Sequence, residues 1–479
     1  MRKRFEPQYV LGQLPIESTY LLKKSRDSQA SLVRALLYIY TNPEWNEKIF
    51  SILETKIIGK KKQTGRPGMN LWQLFVLSQF RLCLNINYDR LHTIANTDRQ
   101  LRQLMGIETA FGYDDIEISY QNIIDNLTLL DDQTIRELNE IIVELGHAVF
   151  KKKDLEALRL KTDSFVVKSA VHFPTDYNLL WDSARKSMDT VSYFLEKHQI
   201  AGWRKLSHWH NELKSLMRAL GKSGSGGGKD KPARIKKATR NYLNKAKTLS
   251  HKMHASLDNL PLTDITDALQ KDNLKKYLGL LDKHIDLVER RLIKGEIIPH
   301  QEKMFSIFEQ YTEWITKGKL FPNVELGKNT AITTDQYNLI VDYHIMENET
   351  DSEILPLLKE RIAQHYKVQS WSFDKGFWNK DNKEKLKANI PMVVMPKKGK
   401  RNLQEECEET DKTYIRLRHK HSAIESNIHE LEHRGLDHCP DKGYNHFKRY
   451  VGLSVCAYNL RRIGKRLQEE IPITKKRVA

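Results

Sequence analysis

Three acidic residues stand in settings that could bring their carboxylates together. Residues 367–377 contain an alternating run that ends at Asp374 and is followed by Gly376, a pattern typical of a β-strand that closes in a glycine turn. Asp163 is the only acid in a second β-like run, residues 157–167. Glu425 falls on a predicted amphipathic helix. Two strand acids and one helix acid are the layout of a metal-dependent phosphoryl-transfer site.

The predicted helix that carries Glu425 begins near His419 and has two faces. Ile424, Ile428 and Leu431 recur at helical spacing and are expected to face a core. The opposite face carries polar and charged side chains, namely Arg418, His421, Ser422, Glu425, His429 and Glu432. Glu425 is therefore expected to be available to the two strand acids.

Other acids compete for these roles, and each chosen acid could also be an ordinary surface carboxylate or a helix cap. Asp176 and Asp182 follow Asp163 closely. Asp335 and Asp342 lie in a later β-like segment, where a hairpin turn and a solvated face explain them.

A succession of strands and helices must position the three acids. The first part consists of the strand of Asp163, a helical insert and a hairpin over residues 330–345 that turns near Asp335. A helix with Asp351 as its N-cap and the strand of Asp374 follow. The last part is a helix over residues 382–388, a strand over residues 390–395 and the helix of Glu425. This order predicts an α/β fold with an RNase H-like catalytic domain, in which helices flank a mixed sheet.

The insert, residues 176–300, is polar and strongly basic. Its pattern predicts two long helices joined by a glycine-rich loop near residues 224–229. Its basic surface could clamp DNA, or the insert could brace the fold or a dimer.

An all-α region is predicted before the first strand. Residues 71–82, 88–96 and 97–106 read as three short helices, an arrangement typical of a helix-turn-helix-like DNA reader. The basic residues expected to contact DNA there are Arg66, Arg81, Arg90, Arg99 and Arg102. A helical bundle with an ordinary basic face is the alternative.

Several motifs together resemble the DDE transposases, which carry an RNase H-like domain. They are similar to bacterial insertion-sequence transposases, most of all to the ISNCY group, and lie within residues 60 to 465. The stretches that carry the resemblance are residues 162–164, 172–182, 303–319, 373–377, 395–400, 418–426 and 435–443.

The resemblance implies a DNA transposase that binds the terminal inverted repeats of an insertion sequence. Asp163, Asp374 and Glu425 would form a DDE triad that catalyses strand cleavage and strand transfer. One metal ion would activate water to nick the end of the element, and the freed 3′-hydroxyl would attack target DNA. The alternative is a catalytically inactive, transposase-derived protein that binds specific DNA sequences, and the presence of all three acids favours the enzyme. A stand-alone nuclease has less use for a separate DNA reader.

Physical chemistry explains why carboxylates suit this task. Two Mg²⁺ ions about 3.5–4 Å apart can activate an oxygen nucleophile and neutralise charge on the scissile phosphate. Mg²⁺ prefers carboxylate oxygens and keeps positions for water and substrate. Close carboxylates repel one another, so metal binding should relieve a strained site. We expect two Mg²⁺ or Mn²⁺ ions held by Asp163, Asp374 and Glu425.

Basic and aromatic residues near the strand ends are expected to contact DNA. The predicted backbone contacts are Lys375, Lys397, Lys398, Lys400, Arg401, Arg418, Lys420 and His421. Trp371 and Trp378 could stack on an unpaired base or pack in the core. Some related transposases place Tyr, Arg and Lys where this chain has Arg418, His421 and Glu432, so a hairpin intermediate stays open.

Length and charge set outer bounds. The 479 residues predict two to four domains, at ~100–200 residues each. The expected divisions are an N-terminal helical segment (1–60), a DNA-binding region and connector (61–153), the catalytic domain (154–175 and 301–465), the insert (176–300) and a basic tail (466–479). Lys and Arg outnumber Asp and Glu by 79 to 61, and this net charge of +18 favours a polyanion as the partner. The resemblance implies that the partner is double-stranded DNA, held by a homodimer or a larger synaptic assembly.

Cysteine usage and hydropathy indicate a cytoplasmic protein, and the resemblance to insertion-sequence transposases implies a bacterial, nucleoid-associated one. The four cysteines lack CxxC spacing and read as reduced thiols. His433, His438 and Cys439 lack an evident fourth ligand for a structural metal. Because no apolar run of about 18 residues occurs, neither a membrane span nor secretion is expected.

Overall fold

The structure is a computed structural model that describes residues 2–5, 11–22, 24–59, 68–110, 116–153, 155–225, 227–316 and 323–470. The chain divides into two compact units, which comprise residues 1–170 with 315–479, and residues 171–314. Within the described ranges, no helix combines the length and the apolar character that a membrane span requires.

The described part of the first unit before residue 150 is built from α-helices. They are α1 (Ser28–Thr41), α2 (Pro43–Leu53), α3 (Leu71–Cys83), α4 (Tyr88–Thr97), α5 (Arg99–Leu104), α6 (Tyr120–Leu127) and α7 (Asp132–Val149). Each begins after an Asp, Asn or Ser whose side chain accepts a backbone N–H of the first turn. The three predicted helices after residue 70 correspond to α3, α4 and α5.

A mixed sheet follows, and β1 is its central strand. The strands are β1 (Leu158–Ser169), β2 (Glu313–Thr316), β3 (Val324–Thr334), β4 (Ile340–Ile345), β5 (Val368–Phe373), β6 (Met392–Val394) and β7 (His438–Cys439). Strand β1 pairs antiparallel with β3 and parallel with β5. Strand β4 extends the sheet as the antiparallel partner of β3, β6 as the parallel partner of β5, and β7 pairs with the end of β1. The predicted hairpin is confirmed as β3 and β4.

The second unit is helical and has its own core. Its helices are α8 (Asp176–His198), α9 (Leu206–Ser223), α10 (Lys231–Leu257) and α11 (Ile265–Val288). Phe194, Trp203, Tyr242 and Leu278 are among the fully buried residues of that core. The prediction of two long helices is wrong, because the described residues form four, with turns near residues 199–205 and 258–264.

The remaining helices belong to the first unit. They are α12 (Leu355–His365), α13 (Lys380–Lys387), α14 (Leu403–Thr410), α15 (Lys412–His421), α16 (Ala423–Leu431) and α17 (Tyr444–Glu469). The single helix predicted around Glu425 is divided at Ser422 into α15 and α16. The apolar face is as predicted, since Ile424, Ile428 and Leu431 are buried.

Helix α17 joins the N-terminal helices to the sheet. It packs against α1, α3, α7 and β4. A Cβ on Gly464 of α17 would lie 1.8 Å from the carbonyl oxygen of Ser31 in α1, so this close approach requires glycine. The side-chain amide of Asn459 donates to Asn139 of α7 and to the carbonyl of Ile340 in β4. The sheet is therefore fixed against a helical scaffold from the same unit.

Candidate active site

The register of the sheet determines where the two strand acids lie. Asp163 is in the middle of β1, opposite Ile332 of β3. On the other side of β1, the pairing with β5 ends at Thr162 and Phe373. Asp374 directly follows β5 with an extended backbone and is exposed. The residue that follows each member of this last pair is an acid, Asp163 after Thr162 and Asp374 after Phe373.

The electrostatics of Asp163 report a cluster of negative charge. Burial raises the pKa of this carboxyl to about 7, although the backbone N–H of Ser164 opposes the shift. The nearby carboxylates of Asp374, Asp351 and Glu425 raise the pKa further. Asp163 thus lies within electrostatic range of both other acids singled out by the sequence, and of a fourth acid.

Asp351 is the acid that the sequence did not single out. It was expected to cap the following helix, but α12 begins at Leu355 after Ile354, and no side chain caps it. The Asp351 carboxylate instead accepts a hydrogen bond from the Ser164 hydroxyl at 2.7 Å. A Cβ at Gly376 would lie 2.5 Å from the other carboxylate oxygen, so the glycine turn leaves room for this acid. Glutamates at 347, 349 and 353 surround it in sequence, and nothing in their pattern distinguishes Asp351.

The donor set at this place suits a hard divalent cation, although it is not arranged as a finished metal site. Among the described residues, no group of three or more His, Cys, Asp or Glu side chains could hold a metal ion as placed. This also applies to His433, His438 and Cys439. Carboxylate oxygens are the ligands preferred by Mg²⁺ and Mn²⁺. Mutual repulsion favours separation of such groups in the absence of a cation.

His421 differs from what the sequence predicted. Burial lowers the pKa of its imidazole to about 4, even though the nearby Asp374 carboxylate opposes that shift. Its Nδ1 lies 3.1 Å from the Ser372 hydroxyl. The expected role as a cationic phosphate contact is therefore corrected, because the ring is neutral at physiological pH.

Most of the other predicted basic contacts near the strand ends are accessible. Lys375, Lys398, Arg418 and Lys420 are exposed, and within the described ranges none of them forms an ion pair. Two others are less free, because Lys397 pairs with Glu405 at 2.8 Å and lies over the Trp378 ring, and Arg401 pairs with Glu409. Trp371, which was expected to stack on a base or to pack in the core, is buried in the core. The Trp371 ring donates to the hydroxyl of Thr162, so it is not a stacking surface.

The N-terminal arginines also fall into two groups, one buried and paired with acids and the other exposed. Arg81 is 3% exposed and holds Asp441 with two hydrogen bonds, while Arg102 is 2% exposed and lies 2.9 Å from Glu108. The expectation that these two contact DNA is corrected, since both guanidinium groups are buried and paired. Arg90 and Arg99 are exposed. Arg66 lies outside the described residues.

The competing acids of the hairpin have structural roles. Asp335 is fully buried, where it accepts backbone N–H groups of the turn and lies 2.7 Å from His147. Asp342 pairs with Arg361 at 2.7 Å and is only 12% exposed. The solvated position expected for Asp342 is therefore wrong, whereas the turn position of Asp335 is confirmed.

One comparison with known families decides the identity of this region. Residues 296–460 match the family model described as the transposase DDE domain. This chain carries a transposase DDE domain. The match confirms the resemblance to insertion-sequence DDE transposases, but it does not extend to the ISNCY group.

The transposase DDE domain match includes two of the three predicted acids. Asp374 and Glu425 lie within the matched residues, and Asp163 precedes them. The mixed sheet flanked by helices fits the RNase H-like architecture of such domains. No curated protein and no solved structure matches the chain.

Proposed function

We propose that this protein is a DNA transposase that binds the terminal inverted repeats of an insertion sequence and catalyses divalent-metal-dependent strand cleavage and strand transfer. The observation that carries the proposal is the pairing of β1 with β5, which ends at Thr162 and Phe373 and so brings Asp163 and Asp374 to neighbouring positions, with Glu425 near enough to raise the pKa of Asp163. These three acids are far apart in the sequence, yet Asp374 and Glu425 both lie within electrostatic range of Asp163. Their meeting in a chain with a transposase DDE domain supports their assignment as the catalytic triad.

Each group would have a defined task. Asp163, Asp374 and Glu425 would hold two Mg²⁺ or Mn²⁺ ions, and Asp163 must release its proton to do so. When bound, such ions supply activation of a water nucleophile and neutralisation of the charge on the scissile phosphate. The exposed Lys375, Lys398, Arg418 and Lys420 would bind backbone phosphates and keep the strand in register.

The neutral His421 suits a positioning task. It contacts Ser372, two residues before Asp374, and lies close enough to that carboxylate to sense its charge. A neutral ring can orient a carboxylate ligand without competing with the metal for it. Two DNA ends must be held together for transposition, so a homodimer or a larger assembly is part of the proposal.

The decisive experiment is a cleavage assay with linear DNA that bears the inverted repeats bracketing the gene. Nicked and joined products are expected with Mg²⁺ and are absent with EDTA. Asp374→Asn and Glu425→Gln should each lower the rate by at least about a thousandfold, equivalent to about 4 kcal/mol of charge stabilisation. Asp381→Asn, which changes an exposed acid of α13, is the matched control and should retain activity.

The results separate the two readings. Activity that survives Asp374→Asn would remove Asp374 from the mechanism. Specific binding of the repeats without any cleavage, under all metal conditions, would favour the catalytically inactive DNA-binding protein instead.

A further inference from the structure

A cavity of about 380 Å³ lies beside the carboxylates, between strands β1 and β5 and helices α15 and α16. This volume falls within the roughly 300–1,000 Å³ typical of small-ligand sites. Its polar lining includes Arg159, Lys161, Asn338, Ser370, Ser372 and Lys420. It is therefore large enough for a single phosphate-bearing group and has donors on several sides.

The charge of this cavity has one sign. Arg159, Lys161 and Lys420 line it, together with His419, and none of the described residues that line it is acidic. Hydroxyl and amide groups provide the rest of its polar surface. Such a lining attracts an anion with several oxygen acceptors, because Lys and Arg provide charge-assisted hydrogen bonds.

Lys161 is the most informative cation of the set. Its Nζ donates to the side-chain oxygen of Asn338 at 3.2 Å, and it forms no ion pair with another described residue. The Asp335 carboxylate lies within electrostatic range of Lys161 and is already held by His147. Lys420 and Arg462 also lie within electrostatic range of Lys161. The ammonium group thus sits among like charges, and an anionic ligand would relieve their repulsion.

The position of the cavity connects it to the acids. Side chains two residues apart on a strand lie on the same face of a sheet. Lys161 precedes Asp163 by two residues on β1, and Ser372 precedes Asp374 by two at the end of β5. On α16, Ala423 and Ser426 of the cavity lining flank Glu425. The cationic cavity and the carboxylates of Asp163 and Asp374 are therefore neighbours on one face of the sheet.

We propose that this cavity binds a phosphate group of the DNA strand that is cut, next to the scissile phosphate, with Lys161 as its main charge partner. The identity of the ligand as a DNA phosphate rests on the proposed function, whereas the affinity of the cavity for a phosphate does not. Lys161 acts here as a binding and positioning residue. It fixes how far the strand extends past the carboxylates, and no bond is made or broken in the cavity.

The first test measures phosphate binding by the full chain without DNA or divalent metal. Inorganic phosphate is titrated, and binding is followed by calorimetry. Lys161→Gln should weaken binding by about tenfold or more, the loss of one charge-assisted contact. Lys161→Arg should restore most of it, and Lys442→Gln, which removes an exposed positive charge elsewhere, should leave it unchanged. Ser370→Ala offers a second, milder probe of the same cavity if Lys161→Gln unfolds the protein.

The second test asks whether the phosphate belongs to DNA. In the strand that the wild type cuts, single phosphates near the cleavage position are replaced by neutral methylphosphonates. One replacement should slow the wild type by about tenfold and have little further effect in Lys161→Gln, because both changes remove the same contact. Purely additive effects at every position would overturn the proposal.

The two tests fail in distinguishable ways. Wild-type protein that does not bind phosphate, or Lys161→Gln that binds it equally well, overturns the cavity assignment whatever the cleavage assay shows. Phosphate binding that depends on Lys161, in a protein that cuts no DNA, supports the anion site and contradicts the transposase mechanism. In that case the ligand is free phosphate or a small phosphate ester.

Discussion

In the first unit, buried charges are paired in the N-terminal helical part, whereas charges of the same sign are grouped at the end of β5 beside β1. In its N-terminal helical part, Arg81 and Arg102 are almost completely buried, and each meets a carboxylate, Asp441 and Glu108 respectively. At the junction of β1 and β5, Asp163 is surrounded by acids, and their charge adds to the effect of burial on its pKa. Buried arginines pair with carboxylates in the helical part, whereas several carboxylates lie close together at the sheet.

The ion pairs of Arg81 and Arg102 stabilise the fold, whereas the grouped carboxylates around Asp163 are suited to binding a cation. A buried pair is costly to break, because the partner left behind has neither water nor a counter-charge. A cluster of like charges destabilises the empty protein and is relieved by a cation. Removing one charge should therefore lower stability at the first place and raise it at the second.

The largest stability effect is expected for Arg81→Met. The substitution keeps much of the apolar volume but leaves the Asp441 carboxylate buried and unpaired. The free energy of unfolding should fall by about 3–5 kcal/mol, the cost of breaking a buried ion pair. Urea denaturation monitored by circular dichroism measures it.

Two further variants make that result specific. Arg90→Met removes an exposed arginine from the neighbouring helix and should change stability by less than about 0.5 kcal/mol. Arg81→Met combined with Asp441→Asn should recover part of the loss, since the unpaired charge is gone. If Arg81→Met were as mild as Arg90→Met, Arg81 would not be the structural ion pair described here.

Asp163→Asn should have the opposite sign. The folded protein holds the proton of Asp163 with a pKa of about 7, above the ordinary 3.8, so it binds that proton more tightly than the unfolded chain does. Stability from this group is therefore complete below about pH 4 and is lost as the pH rises to about 7. At pH 8 without metal, Asp163→Asn should be more stable than the wild type by about 2 kcal/mol, a value reduced for screening by water.

Thermal unfolding at pH 4 and pH 8, with and without Mg²⁺, measures this difference. Mg²⁺ should stabilise the wild type at pH 8 and have little effect on Asp163→Asn. Asp381→Asn provides the exposed control and should show neither change. Equal stability of wild type and Asp163→Asn at both pH values would mean that neither burial nor the neighbouring acids disfavour the charged form of Asp163.

The same contrast shows what sequence alone could predict. Asp163, Asp374 and Glu425 could be chosen as candidate site residues from the sequence because each stands at a local signal: a short strand, a strand followed by a glycine turn, and one face of a helix. Alternation and helical periodicity act over a few residues, so the strands and the hairpin were predictable too. Asp351 lacks any such signal, because its role depends on Ser164 and Gly376, which are distant in sequence.

The fate of the arginines depends on contacts over still longer distances. Arg81 lies on an apolar helix, where a lone arginine reads as the polar side, yet its partner Asp441 is 360 residues away. The break at Ser422 and the four helices of the second unit were missed for a related reason. Polar segments carry little local information on where a helix ends. Pairing and burial, more than the number of basic residues, decide which of them can reach DNA.

The smallest effect on stability is expected in the second unit. The charges concerned are exposed basic side chains, which are neither buried in ion pairs nor grouped with charges of the same sign in a site. Arg218 and Lys222 lie one turn apart on α9, are exposed, and form no ion pair with a described residue. On the neighbouring α10, Lys245 and Lys247 pair with Glu212 and Glu289. If the insert binds the DNA backbone, the unpaired residues should do so more strongly than the paired ones.

The double variants Arg218→Gln/Lys222→Gln and Lys245→Gln/Lys247→Gln change the net charge equally, so they isolate the effect of position. The first should leave thermal stability nearly unchanged and lower the slope of log affinity against log salt concentration by about two, one for each lost phosphate contact. The second should lower that slope by less than about one, since its lysines are already engaged. Fluorescence anisotropy with labelled DNA across a salt series measures both. Equal slopes for the two variants would mean that the insert attracts DNA through net charge alone, and unpaired surface charge would then have no local function in this unit.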